Sequence, residues 1–234
     1  MISIVFSAYN EEDNVAEFHR QIISALQNLH EPYEVIAVDN ASTDNTLAEL
    51  KKLSPIKIIS LDKNFGQASG LDAGIYSAGG ELVCTMDADL QNDPIDIPPM
   101  LKKIREGYDV VVGWRKDRYD SLGRRLFSLF ANGVTNLFTG LRIHDNSCGI
   151  KVFKKKFLGD LHISGIMHIF LPAILVSRGA KITELPVRHH ERTRGISKYS
   201  ILKMSTYGVS LLKICFKYIY RERLTKWLHT FSIK

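Results

Sequence analysis

Five short apolar runs alternate with helix-like segments through the first 115 residues, and that alternation leaves few folds open to the chain. Residues 2–7 form the first β-rich run. Val15, Phe18, Ile22, Leu26 and Leu29 then recur at spacings of three and four, which mark one face of a helix. Residues 33–39, 56–61, 82–87 and 108–114 read as further strands. Residues 44–53, 65–78 and 94–106 read as the helices between them, with Ser42 or Asp44 available as a cap for the first of these. The strand runs are continuously apolar, as in strands buried on both faces. Right-handed crossovers between such strands give an α/β fold: a mostly parallel central sheet with helices on both faces.

Sheets of this kind bind ligands beyond the carboxyl ends of their strands. The residues at those ends are Ala8-Tyr9-Asn10-Glu11, Asp39-Asn40-Ala41-Ser42, Asp62-Lys63-Asn64, Asp87-Ala88-Asp89 and Gly113-Trp114-Arg115. They are mostly polar and rich in carboxylates, and the fold gathers them on one edge.

The acidic stretch from Asp87 to Gln91 is the most informative of these. In an extended chain, residues i, i+2 and i+4 project to one side. Asp87, Asp89 and Gln91 then present several oxygens to one hard cation, and Mg²⁺ or Mn²⁺ suits such donors. The same residues also suit a turn leading into a helix at Pro94. The stretch from Asp39 to Asp44 reads equally as a ribose- or base-binding carboxylate or as a capped loop.

Beyond residue 115 the pattern changes. Residues 122–141, 154–161 and 166–176 read as helices, and 149–153 and 181–189 as strands. A basic, Gly-containing loop covers 192–198, and one or two amphipathic helices cover 199–227. The domain division expected is a catalytic unit at 1–198 followed by membrane-interface helices at 199–234.

Charge supports that division. The whole chain carries +6, yet residues 198–234 hold eight Lys/Arg against Glu222 alone, so the body is close to neutral. A neutral body excludes general nucleic-acid binding. A basic tail interleaved with Leu, Ile, Phe, Tyr and Trp fits an anionic membrane surface. No apolar run reaches the roughly 20 residues that span a bilayer, so the expected association is peripheral. A membrane-protein partner or a homo-oligomer are further ways of holding the chain there. The opening residues lack the charged start of a signal peptide. Cys84, Cys148 and Cys215 have neither disulfide-framework nor zinc-site spacing, which fits a cytosol-facing location.

Taken in order, Ser7 to Glu11, Asp39 to Asp44, Asn64-Phe65-Gly66, Asp87 to Gln91, Gly113 to Arg115, Asp145 to Lys151 and Arg192 to Tyr199 resemble the successive motifs of family 2 inverting glycosyltransferases. The closer resemblance is to the polyprenyl-phosphate, dolichyl-phosphate mannose synthase-like branch, over about residues 2–200. It implies a GT-A (nucleotide-diphospho-sugar transferase) fold and sugar transfer from a UDP- or GDP-sugar to a lipid-linked phosphate at the cytosolic membrane face. Donor contacts would come from Ala8, Tyr9, Asn10, Glu11, Asp39, Asn64, Gly66, Asp87 and Ala88, with Asp39 against the nucleobase. Asp89 and Gln91 would ligate the cation. Arg115, Arg124 and Ser128 match acceptor-phosphate positions, and Arg192 and Lys198 match a loop over the phosphates. Asn40 and Trp114 depart from the family pattern, the first where a second aspartate is usual and the second where a small residue is.

A phosphate acceptor, with a second pKa of about 6, is mostly ionised near neutrality and needs cations rather than a general base. A sugar hydroxyl acceptor, as in surface polysaccharide assembly, needs a carboxylate base, for which Asp145 is the candidate. A non-catalytic nucleotide-sugar-binding protein is a third reading, against which the acidic motif argues. His144, His168, His189 and His190 are read as structural.

Overall fold

The computed structural model describes residues 1–116, 132, 133, 136, 143–191 and 216. Its core is a seven-stranded sheet. The first strand, β1 (Ile2–Ala8), leads through α1 (Val15–Leu26) to β2 (Tyr33–Asp39). The short α2 (Thr46–Leu50) precedes β3 (Lys57–Ser60), and α3 (Gln67–Ser77) precedes β4 (Leu82–Asp87). A 3-10 turn at Pro94–Asp96 runs into α4 (Ile97–Arg105), then β5 (Val110–Trp114). After residue 142 come β6 (Lys151–Lys154), a 3-10 turn at Lys155–Phe157, α5 (Met167–Ser177) and β7 (Ile182–Pro186).

The strand order is β3-β2-β1-β4-β6-β5-β7. All neighbours are parallel except β6, which runs antiparallel to both β4 and β5. The mostly parallel sheet expected from the alternation is therefore present, with one reversed strand inside it, between β4 and β5. Ile4, Val5, Phe6, Ile36, Val38, Val111 and Val152 are fully buried, as strands covered on both faces require. On the α1 side, Phe18 meets Phe6 edge-on with ring centroids 5.1 Å apart. On α3, a Cβ at Gly70 would lie 2.2 Å from Ser7 Oγ, so the missing side chain is what lets this helix seat on β1.

Two expected elements differ. The helix expected over 154–161 is only a 3-10 turn, because β6 runs on to Lys154 and Gly159 takes a left-handed φ of 53°. The strand expected over 181–189 stops at Pro186, which has no N–H for the ladder. The helices expected at 122–141 and 199–227, and the loop at 192–198, lie outside the described residues.

Asp109, just before β5, ties the far side of the sheet together. It accepts from Lys154 Nζ at 2.7 Å and from the Lys181 amide at 2.9 Å, linking β5 to β6 and β7. Burial pushes its carboxyl up, but the bonds from Lys154 and Lys181 outweigh that and hold it below the ordinary range. A lowered folded pKa gives stability that is complete above the unfolded value of about 3.9 and is lost as pH falls through the folded value. Asp109→Asn is expected to cost about 1–3 kcal/mol at pH 7. In denaturant unfolding, its gap to the parent should close as pH drops below about 4.

Candidate active site

The carboxyl ends of β1 and β2 are joined by a ladder of side-chain bonds. Asn10 N donates to Ser42 Oγ at 3.1 Å, and Thr43 N donates to Asn10 Oδ1 at 2.8 Å. Glu11 N donates to Thr46 Oγ1 at 2.8 Å. Ser42 thus serves the neighbouring loop, and Asp44 Oδ1 accepts the Thr46 amide at 2.9 Å ahead of α2, whose N-cap position is Asn45. Ala8 is in the core, and its carbonyl accepts the Asn40 amide. Asp39 is 2% exposed and accepts the Ser42 amide at 3.3 Å.

Asn40 shows why an amide works at this position. Its Oδ1 accepts from Phe65 N at 3.1 Å while its Nδ2 donates to Asn64 Oδ1 at 3.2 Å. Asn64 Oδ1 also takes the Gly66 amide at 2.9 Å. An ionised aspartate accepts only, so it would lose the bond to Asn64. The departure from the family pattern is accommodated by the loop at 64–66.

Among the described residues, three non-glycine residues with left-handed φ follow the strand ends: Asn10 (53°), Ala41 (58°) and Leu90 (61°). Such backbone persists only where surrounding bonds impose it, and it concentrates at functional sites. Leu90 also changes the geometry expected for the acidic stretch. Extended chain ends at Asp87, and the turn at Leu90 brings the Gln91 amide to 3.2 Å from Asp89 Oδ1. Asp87, Asp89 and Gln91 therefore do not share a face through strand periodicity.

Asp87 is held by Gln67, which the sequence did not single out, and seated against Gly149 of the Asp145 to Lys151 motif. Gln67 Nε2, at the start of α3, donates to its Oδ1 at 2.5 Å. Its Oδ2 lies where a Cβ on Gly149 would be, only 2.2 Å away. The position of Gln67 directly after Gly66 was the one sequence cue for its role.

At the end of β5, Arg115 meets Asp145. Nε donates to Oδ2 at 2.7 Å and Nη2 to Oδ1 at 3.0 Å, while Nη2 also donates to Ser147 Oγ at 2.9 Å. The Arg115 and Asp145 side chains are 12% and 2% exposed, so this bidentate pair is buried. Trp114 stacks on His144 with centroids 4.3 Å apart, and the His144 amide donates to Glu184 Oε2 at 2.8 Å. His189 bridges Asn92, and the His190 amide donates to the Gln91 carbonyl at 2.9 Å. Arg124, Ser128, Arg192 and Lys198 lie outside the described residues.

Hard oxygen donors of the kind Mg²⁺ and Mn²⁺ prefer stand at this edge in Asp87, Asp89 and Gln91. Among the described residues no three His, Cys, Asp or Glu side chains are grouped to enclose a metal ion. The donor set fits a cation that completes its shell with phosphate oxygens and water, as Mg²⁺ usually does.

Among the described residues no helix is long and apolar enough to cross a membrane. The family described as glycosyl transferase family 2 matches residues 3–161. The chain is 37% identical over 231 residues to a dodecaprenyl-phosphate galacturonate synthase of Rhizobium johnstonii, covering 95% of this chain and 68% of that protein. It is 34% identical over 208 residues to an undecaprenyl-phosphate 4-deoxy-4-formamido-L-arabinose transferase of Edwardsiella ictaluri, covering 87% and 64%. The chain thus spans about two thirds of the length of these relatives. Among solved structures, glucosyl-3-phosphoglycerate synthase from Mycobacterium tuberculosis with Mn²⁺, UDP-glucose and phosphoglyceric acid aligns with a TM-score of 0.69 at 20% identity, covering 92% and 79%. A Pyrobaculum calidifontis mannosyltransferase with GDP-mannose and Mn²⁺ aligns at 0.64 and 18%, covering 84% and 58%. These structures share the GT-A fold with the present chain. With its family profile and its relatives in agreement, the chain belongs to glycosyl transferase family 2 and is a glycosyltransferase.

Proposed function

We propose that this transferase moves a sugar from a nucleotide-sugar to a polyprenyl phosphate at the cytosolic membrane surface, with inversion at the sugar carbon. The observation that carries the reading is the buried Arg115–Asp145 pair. Asp145 gives both carboxylate oxygens to Arg115, which makes it a poor proton acceptor and a good support. That arrangement suits an acceptor that arrives already ionised. A phosphomonoester does so, since its second pKa is about 6. The names of the relatives, each a polyprenyl-phosphate sugar transferase or synthase, agree with it.

In this reading the β1–β2 loops, Asp39 and Asn64–Gly66 hold the nucleoside, and Asp87, with Ala88 beside it, touches the ribose or the metal shell. Asp89 and Gln91 would hold Mg²⁺ or Mn²⁺, which when bound offsets the charge growing on the departing diphosphate. Arg115, oriented by Asp145 and Ser147, meets the acceptor phosphate together with Arg124 and Ser128. Arg192 and Lys198 add positive charge over the phosphates. Residues 1–198 form the catalytic unit, and the basic, apolar segment 199–234 lies against the membrane.

Three outcomes follow. Asp89→Ala, and excess EDTA on the parent, should each abolish transfer to undecaprenyl phosphate, with Mn²⁺ or Mg²⁺ restoring the chelated enzyme. Full activity in either case overturns the metal assignment. UDP- or GDP-sugars with Mn²⁺ should raise the melting temperature by several degrees, since a hundredfold excess over Kd adds about 2.7 kcal/mol. Gly149→Ala should cost about 1–3 kcal/mol through overpacking against Asp87. It should also raise the KM for the donor, read from initial rates alongside a thermal melt.

A further inference from the structure

Lys151 opens β6 and is only 4% exposed although it carries an ammonium group. Its register is informative. Lys151 stands opposite Thr85 of β4 and Val112 of β5. Residues opposite one another across a sheet share a face, as do residues two apart along a strand. Lys151 therefore shares the face of Asp87 and lies one pleat below the edge where Asp87 and Trp114 end their strands.

The ammonium is not used as an ordinary ion pair. Lys151 Nζ donates to the Cys148 carbonyl. Burial is the largest influence on its pKa and lowers it; Cys148, Asp87 and Asp145 oppose that, and Arg115 reinforces it. His168 nearby is neutral, its ring pushed down to about 3 by burial and then by Lys151. A desolvated cation bonded to a neutral carbonyl costs stability that an apolar side chain of similar length would not. Where a chain keeps such a group, the compensation is sought in function.

The loop that Lys151 holds is the one that joins the two halves of the site. Its first residue, Asp145, orients Arg115. Its last, Gly149, is the surface against which Asp87 rests. Thr85 Oγ1 donates to the Gly149 carbonyl at 3.5 Å and adds a third tie from β4.

We propose that Lys151 is a positioning residue whose buried ammonium, through the Cys148 carbonyl and its field on Asp87 and Asp145, holds the donor and acceptor sides at one fixed spacing. The inference rests on the transferase reading above. A misplacement of about 1 Å costs on the order of a hundredfold in rate, so the effect is large enough to measure.

The test compares Lys151→Met and Lys151→Gln with the parent, using undecaprenyl phosphate in detergent and whichever nucleotide-sugar the parent turns over. Lys151→Met should melt at the same temperature as the parent or above it, yet lose about tenfold to a hundredfold in kcat/KM for both donor and acceptor. Gln67→Ala, which removes the bond to Asp87 Oδ1, should disturb the donor KM alone, and Ser147→Ala, which removes a bond from Arg115, the acceptor KM alone. Lys151→Gln keeps a donor for the carbonyl but no charge and should stay impaired. Parent-like kinetics per folded molecule in either Lys151 variant overturns the proposal. So does a loss of activity in both that merely follows a fallen melting temperature. If the parent transfers no sugar to the lipid phosphate, it is the reading in the preceding subsection that fails.

Discussion

Everything at the active edge depends on the antiparallel pairing of β6 between β4 and β5. Adjacent strands lie about 4.8 Å apart, so one strand inserted between β4 and β5 sets their ends roughly 10 Å apart. Asp87 ends β4 and Arg115 follows β5. The sheet thus sets the spacing of the two strand ends, and the loop from Asp145 to Gly149 fixes the side chains seated on them. Because β6 runs the other way, the chain entering it arrives at the same edge. That is how Asp145, Ser147 and Gly149 come to lie between the two strand ends they serve.

The backbone at this edge is held against its own preferences. Asn10, Ala41 and Leu90 each take left-handed φ after β1, β2 and β4, at about 1–3 kcal/mol apiece for such conformations. The first two are stabilised mutually, since the Asn10–Thr43 and Asn10–Ser42 bonds cross from one loop to the other. Neither loop would hold its shape alone. In the proposed reading the nucleoside end of the site is therefore a unit made by two strands, pre-shaped before any ligand arrives, which lowers the ordering cost of binding.

Much of this was legible in the residues. The apolar runs at 2–7, 33–39 and 82–87 predicted β1, β2 and β4 almost to the residue, because continuous Val/Ile/Phe runs next to turn-forming polar residues have little else to become. Strand direction was not legible, since an apolar run carries no arrow, and β6 was found reversed. The pairing of Arg115 with Asp145 spans 30 positions and has no local signature. Lys151 lay in the Asp145 to Lys151 motif and in the strand expected at 149–153, but only the register with Thr85 and Val112 puts it inside. The period-two argument for Asp87 to Gln91 failed where Leu90 turns left-handed, a conformation that leucine rarely signals.

Charge balance then explains why the site needs more than its described residues. The Arg115–Asp145 pair carries no net charge, and Asp87 and Asp89 are both acidic. A diphosphate donor and a phosphate acceptor brought to this edge add several negative charges to a region whose buried cation, Lys151, is partly offset by the carboxylates around it. In the proposed reading the balance is made up by the divalent cation and by Arg124, Arg192 and Lys198. They divide between the departing diphosphate and the acceptor phosphate, so their removal should leave different kinetic signatures. The cation and the 192–198 residues bear on the leaving group, where charge grows during reaction, and so on kcat. Arg124 bears on a phosphate whose charge is greatest before reaction, so its loss should appear mainly in acceptor KM.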